Sequence, residues 1–211
     1  MDRRSFLTAG LGSLLLAACP RGSASAPRDA GGLAPTVAVD DGDELPPMPQ
    51  ACSAIATADN IEGPFYKRGA PSRSVLVAPD DDGERLVISG SVRSTSCEHL
   101  AKATIDVWQA NVRGDYDLDG FRFRGRMAAD ARGRWQLRTI VPGRYLNGRR
   151  YRPAHIHVKV SAPGFETLTT QLYFEGDPYN EGDPFIDPSL IMTTSVENKV
   201  RRATFDFVLA A

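Results

Sequence analysis

Apolar and polar positions along this chain alternate with a period of two, in short runs set apart by turn residues. In "RLVISGSV", Leu86 and Ile88 alternate with polar neighbours. "ATIDVWQA", "RWQLRTIV", "HIHVKVSA", "TLTTQLYF" and "ATFDFVLA" repeat the habit. Between them stand "DDDGE", "DARGR", "VPGRY", "APGFE" and "EGDPYNEGDP", rich in the Gly, Pro and Asp that shape turns. Several such runs with regular turn signals predict an all-β fold, a β-sandwich of mostly antiparallel strands with long functional loops. No long 3.6-residue pattern competes, and only residues 188–200 leave room for a short helical turn.

The pattern fails before residue 51. "MDRRSFLTAGLGSLLLAAC" opens with Arg3-Arg4 and continues in an apolar run from Leu7 to Ala18. That run is too short to cross a bilayer as a helix but suits the core of a signal peptide. Arg3-Arg4 before Ser5-Phe6-Leu7 resembles a twin-arginine export signal. Leu16-Ala17-Ala18-Cys19 resembles a lipobox, which makes Cys19 the lipidated residue of the processed chain; the plainer alternative is ordinary cleavage before an incidental cysteine. Residues 19–50 are rich in Pro, Gly, Ala, Ser and Asp and read as a flexible tether. Residues 51–211 then form one domain, long enough for one core. The expected location is periplasmic or cell-envelope, with contact to the membrane through a lipid anchor only. Cys52 and Cys97 remain once Cys19 is set aside, and an oxidising compartment suggests one disulfide between them; two unpaired thiols are the alternative. A net charge of −1 with no Lys/Arg block argues against nucleic acid as a partner.

Candidate chemistry concentrates in "RPAHIHVKV", residues 152–160, which holds two of only three histidines. On a strand, residues i and i+2 share a face. His155 and His157 therefore project together, with Lys159 beyond, while Ile156, Val158 and Val160 occupy the other face. Two adjacent imidazoles can grip one metal ion; a polar, solvated strand face is the bland reading. Zinc would want Cys or a third histidine, and His99 is distant in sequence. Two His with a carboxylate would suit ferrous iron, but no carboxylate stands out. Tyr116, Tyr145 and Tyr151 are the other candidates, because a phenolate is a hard anionic donor that favours ferric iron.

Five pieces, "EGPFY" (62–66), "VWQANVRGDY" (107–116), "TIVPGRY" (139–145), "RPAHIHVKV" (152–160) and "TQLYFEGDP" (170–178), stand in an order that resembles the intradiol ring-cleavage dioxygenases, the family containing protocatechuate 3,4-dioxygenase. The resemblance covers roughly residues 57–210. It implies one non-haem ferric ion, Fe(3+), held by Tyr116, Tyr145, His155 and His157. Tyr145 rather than Tyr151 completes the family's Pro-Gly-x-Tyr, although the interval from Tyr145 to His155 looks shorter than in the protocatechuate enzymes. It further implies a catechol substrate and O2, with the ring opened between its two hydroxylated carbons to a cis,cis-muconate-type product. Arg152 corresponds to an arginine beside the substrate, and Gln171 to a glutamine near the reacting carbon. Gly63, Pro64 and Tyr66 match a stretch lining the substrate cavity. Oligomerisation stays open, because the family's catechol-specific branch carries a helical dimerisation region where this chain has a tether.

Other features take plainer readings. "DYDLDG" imitates the start of a calcium loop but reads as a turn with solvated carboxylates, since Arg126 stands where the loop needs Glu. "EGDPYNEGDPFID", residues 175–187, reads as an ordered loop at the site mouth. Trp108 and Trp135 read as core. A competing function is a non-catalytic exported β-sandwich binding module, since fold alone does not give function. Whether the two tyrosines and two histidines hold iron separates the two.

Overall fold

Alternation in the sequence becomes two five-stranded sheets, in a computed structural model that describes residues 54–211. The export signal, Cys19, the tether and Cys52 lie outside the described residues. Cys97 is disulfide-bonded, as the cysteine count suggested; its expected partner, Cys52, falls outside that range.

The first sheet is organised by β1 (Arg85–Ser94), which pairs antiparallel with β4 (Arg134–Ile140) along one edge. Along its other edge run β11 (Val200–Thr204) and then β12 (Phe207–Leu209), both parallel to it. β10 (Thr194–Glu197) flanks β11. The run "ATFDFVLA" is therefore broken rather than continuous. At the break, Phe205 N–H donates to the Ser89 carbonyl, and the Asp206 carboxylate accepts from Ser91 N–H and Oγ. Gly90 permits this, since a Cβ there would lie 1.8 Å from the Phe205 carbonyl oxygen.

The second sheet has the order β3 (Arg124–Ala128), β2 (Thr104–Gln109), β7 (His155–Ser161), β8 (Leu168–Phe174) and β9 (Ile191–Met192). All its pairs are antiparallel except β8 with β9. The expected sandwich is present, with mixed rather than uniformly antiparallel sheets. A short hairpin, β5 (Leu146–Asn147) with β6 (Arg150–Tyr151), stands apart from both sheets. The helical turn expected within 188–200 is a single 3-10 turn, Pro188–Leu190, and β9 and β10 occupy most of the rest.

The core lies between the sheets. Leu86, Ile88 and Val92 of β1 and Trp135 and Leu137 of β4 meet Ile105, Val107, Ile156, Val158, Val160 and Leu172 from the second sheet. Burial of such side chains from water is the main driving force for the fold. Polar groups buried beside it are paired: the Gln109 amide donates to the Ile140 carbonyl and accepts from Thr139 Oγ1, so its cost is offset.

Candidate metal centre

Because side chains alternate, the face of β7 turned away from the core carries His155 and His157. Cross-strand partners share a face. Trp108 of β2 lies opposite His157, which lies opposite Gln171 of β8, and His155 lies opposite Tyr173. Both histidines are buried, so this outer face is not solvated. The amino-terminal segment covers part of it: Asn60 N–H donates to the Thr169 carbonyl, and Gln171 Nε2 donates to the Ile61 carbonyl.

Tyr116 follows β2 and Tyr145 follows β4, and their loops bring both rings to the histidines. The four side chains close a ring of contacts. Centroids lie 6.1 Å apart for Tyr116 and His157, 4.9 Å for His157 and His155, 5.6 Å for His155 and Tyr145, and 5.9 Å for Tyr145 and Tyr116. Tyr116 Oη and His155 Nε2 are 3.4 Å apart. Tyr151, the other tyrosine before the histidines, is half exposed and packs on Tyr179 instead.

The donor set fits ferric iron. His155 Nδ1 lies 2.7 Å from the Pro153 carbonyl. A neutral ring donating there leaves Nε2 as a lone-pair donor facing Tyr116. Burial first, and then the Arg152 charge, push the pKa of His155 down to about 4. Burial, His155 and Arg152 hold His157 well below its ordinary value. The Nδ1 of His157 is buried without a partner at full hydrogen-bond geometry, with the Ile61 backbone the polar group beside the ring. Burial raises the Tyr116 phenol above its ordinary range, and Tyr145 adds to the shift. Such a phenol ionises only beside a strong positive charge, which a trivalent ion among these four donors would supply. Hard oxygen donors with imidazole suit ferric iron. Among the described residues, no cluster of His, Cys, Asp and Glu alone could hold a metal.

Glycines and ion pairs fix these groups. Gly114 comes so close to the second tyrosine loop that a Cβ would lie 2.2 Å from the Arg144 carbonyl oxygen and 3.2 Å from Tyr145 Cα. Gly63 has φ of +70°, and a Cβ on it would lie 3.1 Å from His157 Cε1. Arg144 Nε donates to both oxygens of Asp177, which also accepts from Ala154 N–H, just before His155. Arg124 is fully buried and donates to the carbonyls of Phe65 and Asp117, pinning the turn beyond Tyr116.

Arg152 lies against this centre. Its side chain and that of Asp183 are 4% and 2% exposed, and Nε donates to the carboxylate at 2.8 Å. Nη2 donates to Tyr173 Oη at 3.0 Å, and Tyr173 Oη donates to Gln171 Oε1 at 3.0 Å. Burial opposes the guanidinium charge, but Asp183 and Tyr173 outweigh it, and the pKa of Arg152 is raised. Nη1 is buried without a partner at full hydrogen-bond geometry, and the Tyr145 side chain also favours the charged guanidinium.

The structure gathers Tyr116, Tyr145, His155, His157, Arg152, Gln171 and Gly63 in one place, and sets Pro64 in the adjoining exposed turn. Tyr66 is one layer removed. Its hydroxyl donates to Asp106, and its ring packs on Trp108, 4.8 Å between centroids. Its neighbour Phe65 makes the direct contact, stacking on Tyr116 at 4.3 Å and meeting Tyr145 at 5.8 Å. Trp108 departs from the core reading: it is buried outside the apolar cluster and stacks on His157 at 4.8 Å. Trp135 is core as expected. In "DYDLDG", Asp117 accepts from three backbone N–H groups, forming a turn. His99 bridges to Arg93 of β1.

A family model described as Dioxygenase (Dioxygenase_C) matches residues 61–211. The chain is 38% identical over 176 residues to chlorocatechol 1,2-dioxygenase of Pseudomonas putida, covering 72% of this chain and 68% of that protein. It is 35% identical over 153 residues to chlorocatechol 1,2-dioxygenase of Rhodococcus opacus, covering 60% of each. Among solved structures it superposes on the dioxygenase domain of a dioxygenase carbohydrate-binding protein fusion from Streptomyces sp. SirexAA-E. The TM-score is 0.70 and the identity 44%, over 74% of this chain and 99% of that one. The β-sandwich with a buried tyrosine and histidine cluster is thus that of a dioxygenase, and the chain belongs to the intradiol ring-cleavage family. It is an enzyme that opens a catechol-type ring between its hydroxylated carbons with O2, and the family uses Fe(3+). The reading as a non-catalytic binding module finds no support in these relatives.

Proposed function

We propose that this chain holds one Fe(3+) through Tyr116, Tyr145, His155 and His157 and converts a catechol and O2 into a cis,cis-muconate-type diacid. The closed ring of four donor side chains on the outer face of the second sheet carries the proposal. When bound, ferric iron supplies Lewis acidity toward a deprotonated 1,2-diphenol. His155 and His157, held neutral, give lone pairs without needing to lose a proton. Tyr145 Oη would take up one of the two protons that the diphenol loses on binding, and the other would leave to solvent. Arg152 Nη1 donates toward negative charge on the ring, from a position fixed by Asp183 and Tyr173. The Gln171 amide is oriented from both ends, by Ile61 and Tyr173. Phe65, stacked on Tyr116 and set against Tyr145, and Gly63, close against His157, shield these side chains from water, and Trp108 braces His157.

Supplying the iron-loaded protein with catechol under ¹⁸O2 tests this reading. A muconate carrying both labelled atoms is expected. A ring opened beside the hydroxyls, a singly labelled product, or no turnover by protein that has bound iron would contradict it.

The proposal extends to the cell. The sequence of residues 1–19 supports twin-arginine export and a lipid anchor on Cys19, so labelled palmitate should enter the wild-type chain and not Cys19→Ser. Pairing of Cys97 with Cys52 predicts one disulfide-linked peptide pair on non-reducing mass spectrometry.

A further inference from the structure

A cavity of about 710 Å³ opens between the β5–β6 hairpin and the 175–187 loop. Arg152, Asp183 and Phe185 form its inner wall, so it begins where the guanidinium beside the metal donors stands. The hairpin is the chain's path from Tyr145 to Arg152, and Arg152 N–H closes it on the Tyr145 carbonyl at 2.9 Å. A volume in the ~300–1,000 Å³ range of ligand pockets exceeds what a single-ring diphenol would fill.

The outer walls have two characters. Tyr151 of the hairpin and Tyr179 of the facing loop are 49% and 39% exposed, with ring centroids 5.6 Å apart at 53°. They form an aromatic wall open to solvent. Arg149 and Arg150 stand at the hairpin tip and also line the cavity. No ion pair engages either guanidinium among the described residues, in contrast to Arg144 on Asp177 and Arg152 on Asp183. Of the two acidic residues lining the cavity, Asp183 is neutralised by Arg152, which leaves two free cations against Glu181. The four paired residues of the hairpin are all exposed. Their side chains therefore contribute little to the core, and packing does not explain them.

A diphenol gripped through both hydroxyls presents its opposite ring edge outward. We propose that this cavity is an outer subsite for the substrate's side chain, and that the enzyme prefers catechols carrying, opposite the hydroxyls, an extended chain that ends in a carboxylate. The inference rests on the intradiol reading of the metal centre. Tyr151 and Tyr179 pack the chain, and Arg149 and Arg150 receive the carboxylate through charge-assisted hydrogen bonds. The carboxylate stays at the solvated rim, where an ion pair forms without full desolvation.

Three probes test this: catechol, 3-(3,4-dihydroxyphenyl)propanoate and the methyl ester of that acid. The saturated chain keeps ring electronics nearly constant between acid and ester. Affinity is read by calorimetry on the iron-loaded full chain without O2, and kcat/KM in air. The acid is expected to bind about tenfold more tightly than its ester, and the double variant R149S/R150S to lose that advantage. Catechol should bind and turn over alike in both proteins. Tyr151→Ala should weaken acid and ester together by a few-fold, again sparing catechol. Equal affinity for acid and ester in the wild type, or an unchanged acid preference in the double variant, would overturn the subsite while catechol turnover still upheld the intradiol centre. Failure to turn over any of the three would instead contradict the reading on which the subsite rests.

Discussion

The two faces of the second sheet are both buried and do opposite things. Toward the first sheet, Ile156, Val158 and Val160 of β7 join an apolar cluster in which nearly any side chain of the right size would serve. Away from it, His155, His157, Gln171 and Tyr173 are equally inaccessible, yet each is polar. Burial of His155, Gln171 and Tyr173 is tolerable because Pro153, Ile61 and Arg152 supply specific hydrogen bonds to them. The lesson is that one strand can be stabilised on one side and made chemical on the other, provided loops rather than a second sheet close the chemical side. His157 Nδ1 and Arg152 Nη1, two of the buried atoms short of a full hydrogen bond, lie on that side.

Substitutions on the two faces of β7 should separate most widely. Tyr116→Phe or His157→Ala should lower kcat/KM by more than about a hundredfold, since disturbing even a metal ligand's supporting groups costs 10–100-fold. Their circular dichroism should stay that of a folded β protein. Ile156→Ala, between the two histidines, should instead lower stability by about 2–5 kcal/mol, with iron content unchanged in the folded fraction. If Ile156→Ala removed iron as thoroughly as His157→Ala, the two faces would not be independent. Asp183→Ala comes next, leaving the Arg152 charge buried without its partner. A loss of about 3–5 kcal/mol in urea unfolding is expected, and a loss under 1 kcal/mol would mean the loop relaxes to admit water.

Acid should act first on the outer face, before it reaches carboxylates such as Asp130 and Asp187 that are held below their ordinary range. In the iron-free protein, burial depresses His155 to about 4, whereas an unfolded chain binds that proton near 6.5. The unfolded state therefore takes up more protons between these values. Stability is full above about pH 6.5 and falls as the pH drops toward 4, by on the order of 3 kcal/mol for this residue. The slope should flatten in His155→Gln; an unchanged slope would place its origin elsewhere. Gly63→Ala is the smallest change. Its Cβ would press on His157 Cε1 from a backbone with φ of +70°, so iron affinity should fall by about tenfold with stability lowered by about 1 kcal/mol. A wild-type iron affinity would show that the 63–66 turn yields instead.

The core face was legible in the sequence because alternation states it outright, as in Ile156, Val158 and Val160. β3 was not: it presents Arg124, Gly125 and Arg126, and Arg124 is buried by hydrogen bonds to carbonyls that no local pattern reveals. The two tyrosines, the two histidines and Arg152, which the structure brings together, are legible as a group through motif resemblance. Their supports depend on register and loop closure. Tyr173 could have been found by alternation, two residues from Gln171. Trp108 could not, because its position opposite His157 is set by the pairing of β2 with β7. Resemblance points to Tyr66, whereas Phe65 makes the contact with Tyr116 and Tyr145, and in the acidic 175–187 loop Asp177 and Asp183 hold Arg144 and Arg152.

Two loop tyrosines and the two histidines of β7 are proposed to hold a single ferric ion. Loading the full chain with iron, counting bound metal and recording the visible spectrum of the wild type, Tyr116→Phe and Tyr145→Phe tests it most directly. One iron per chain is predicted, with a tyrosinate-to-iron charge-transfer band that weakens and shifts in each single variant and is lost when both tyrosines are replaced. A wild type that binds one iron without that band, or a band unchanged in both variants, would contradict the account.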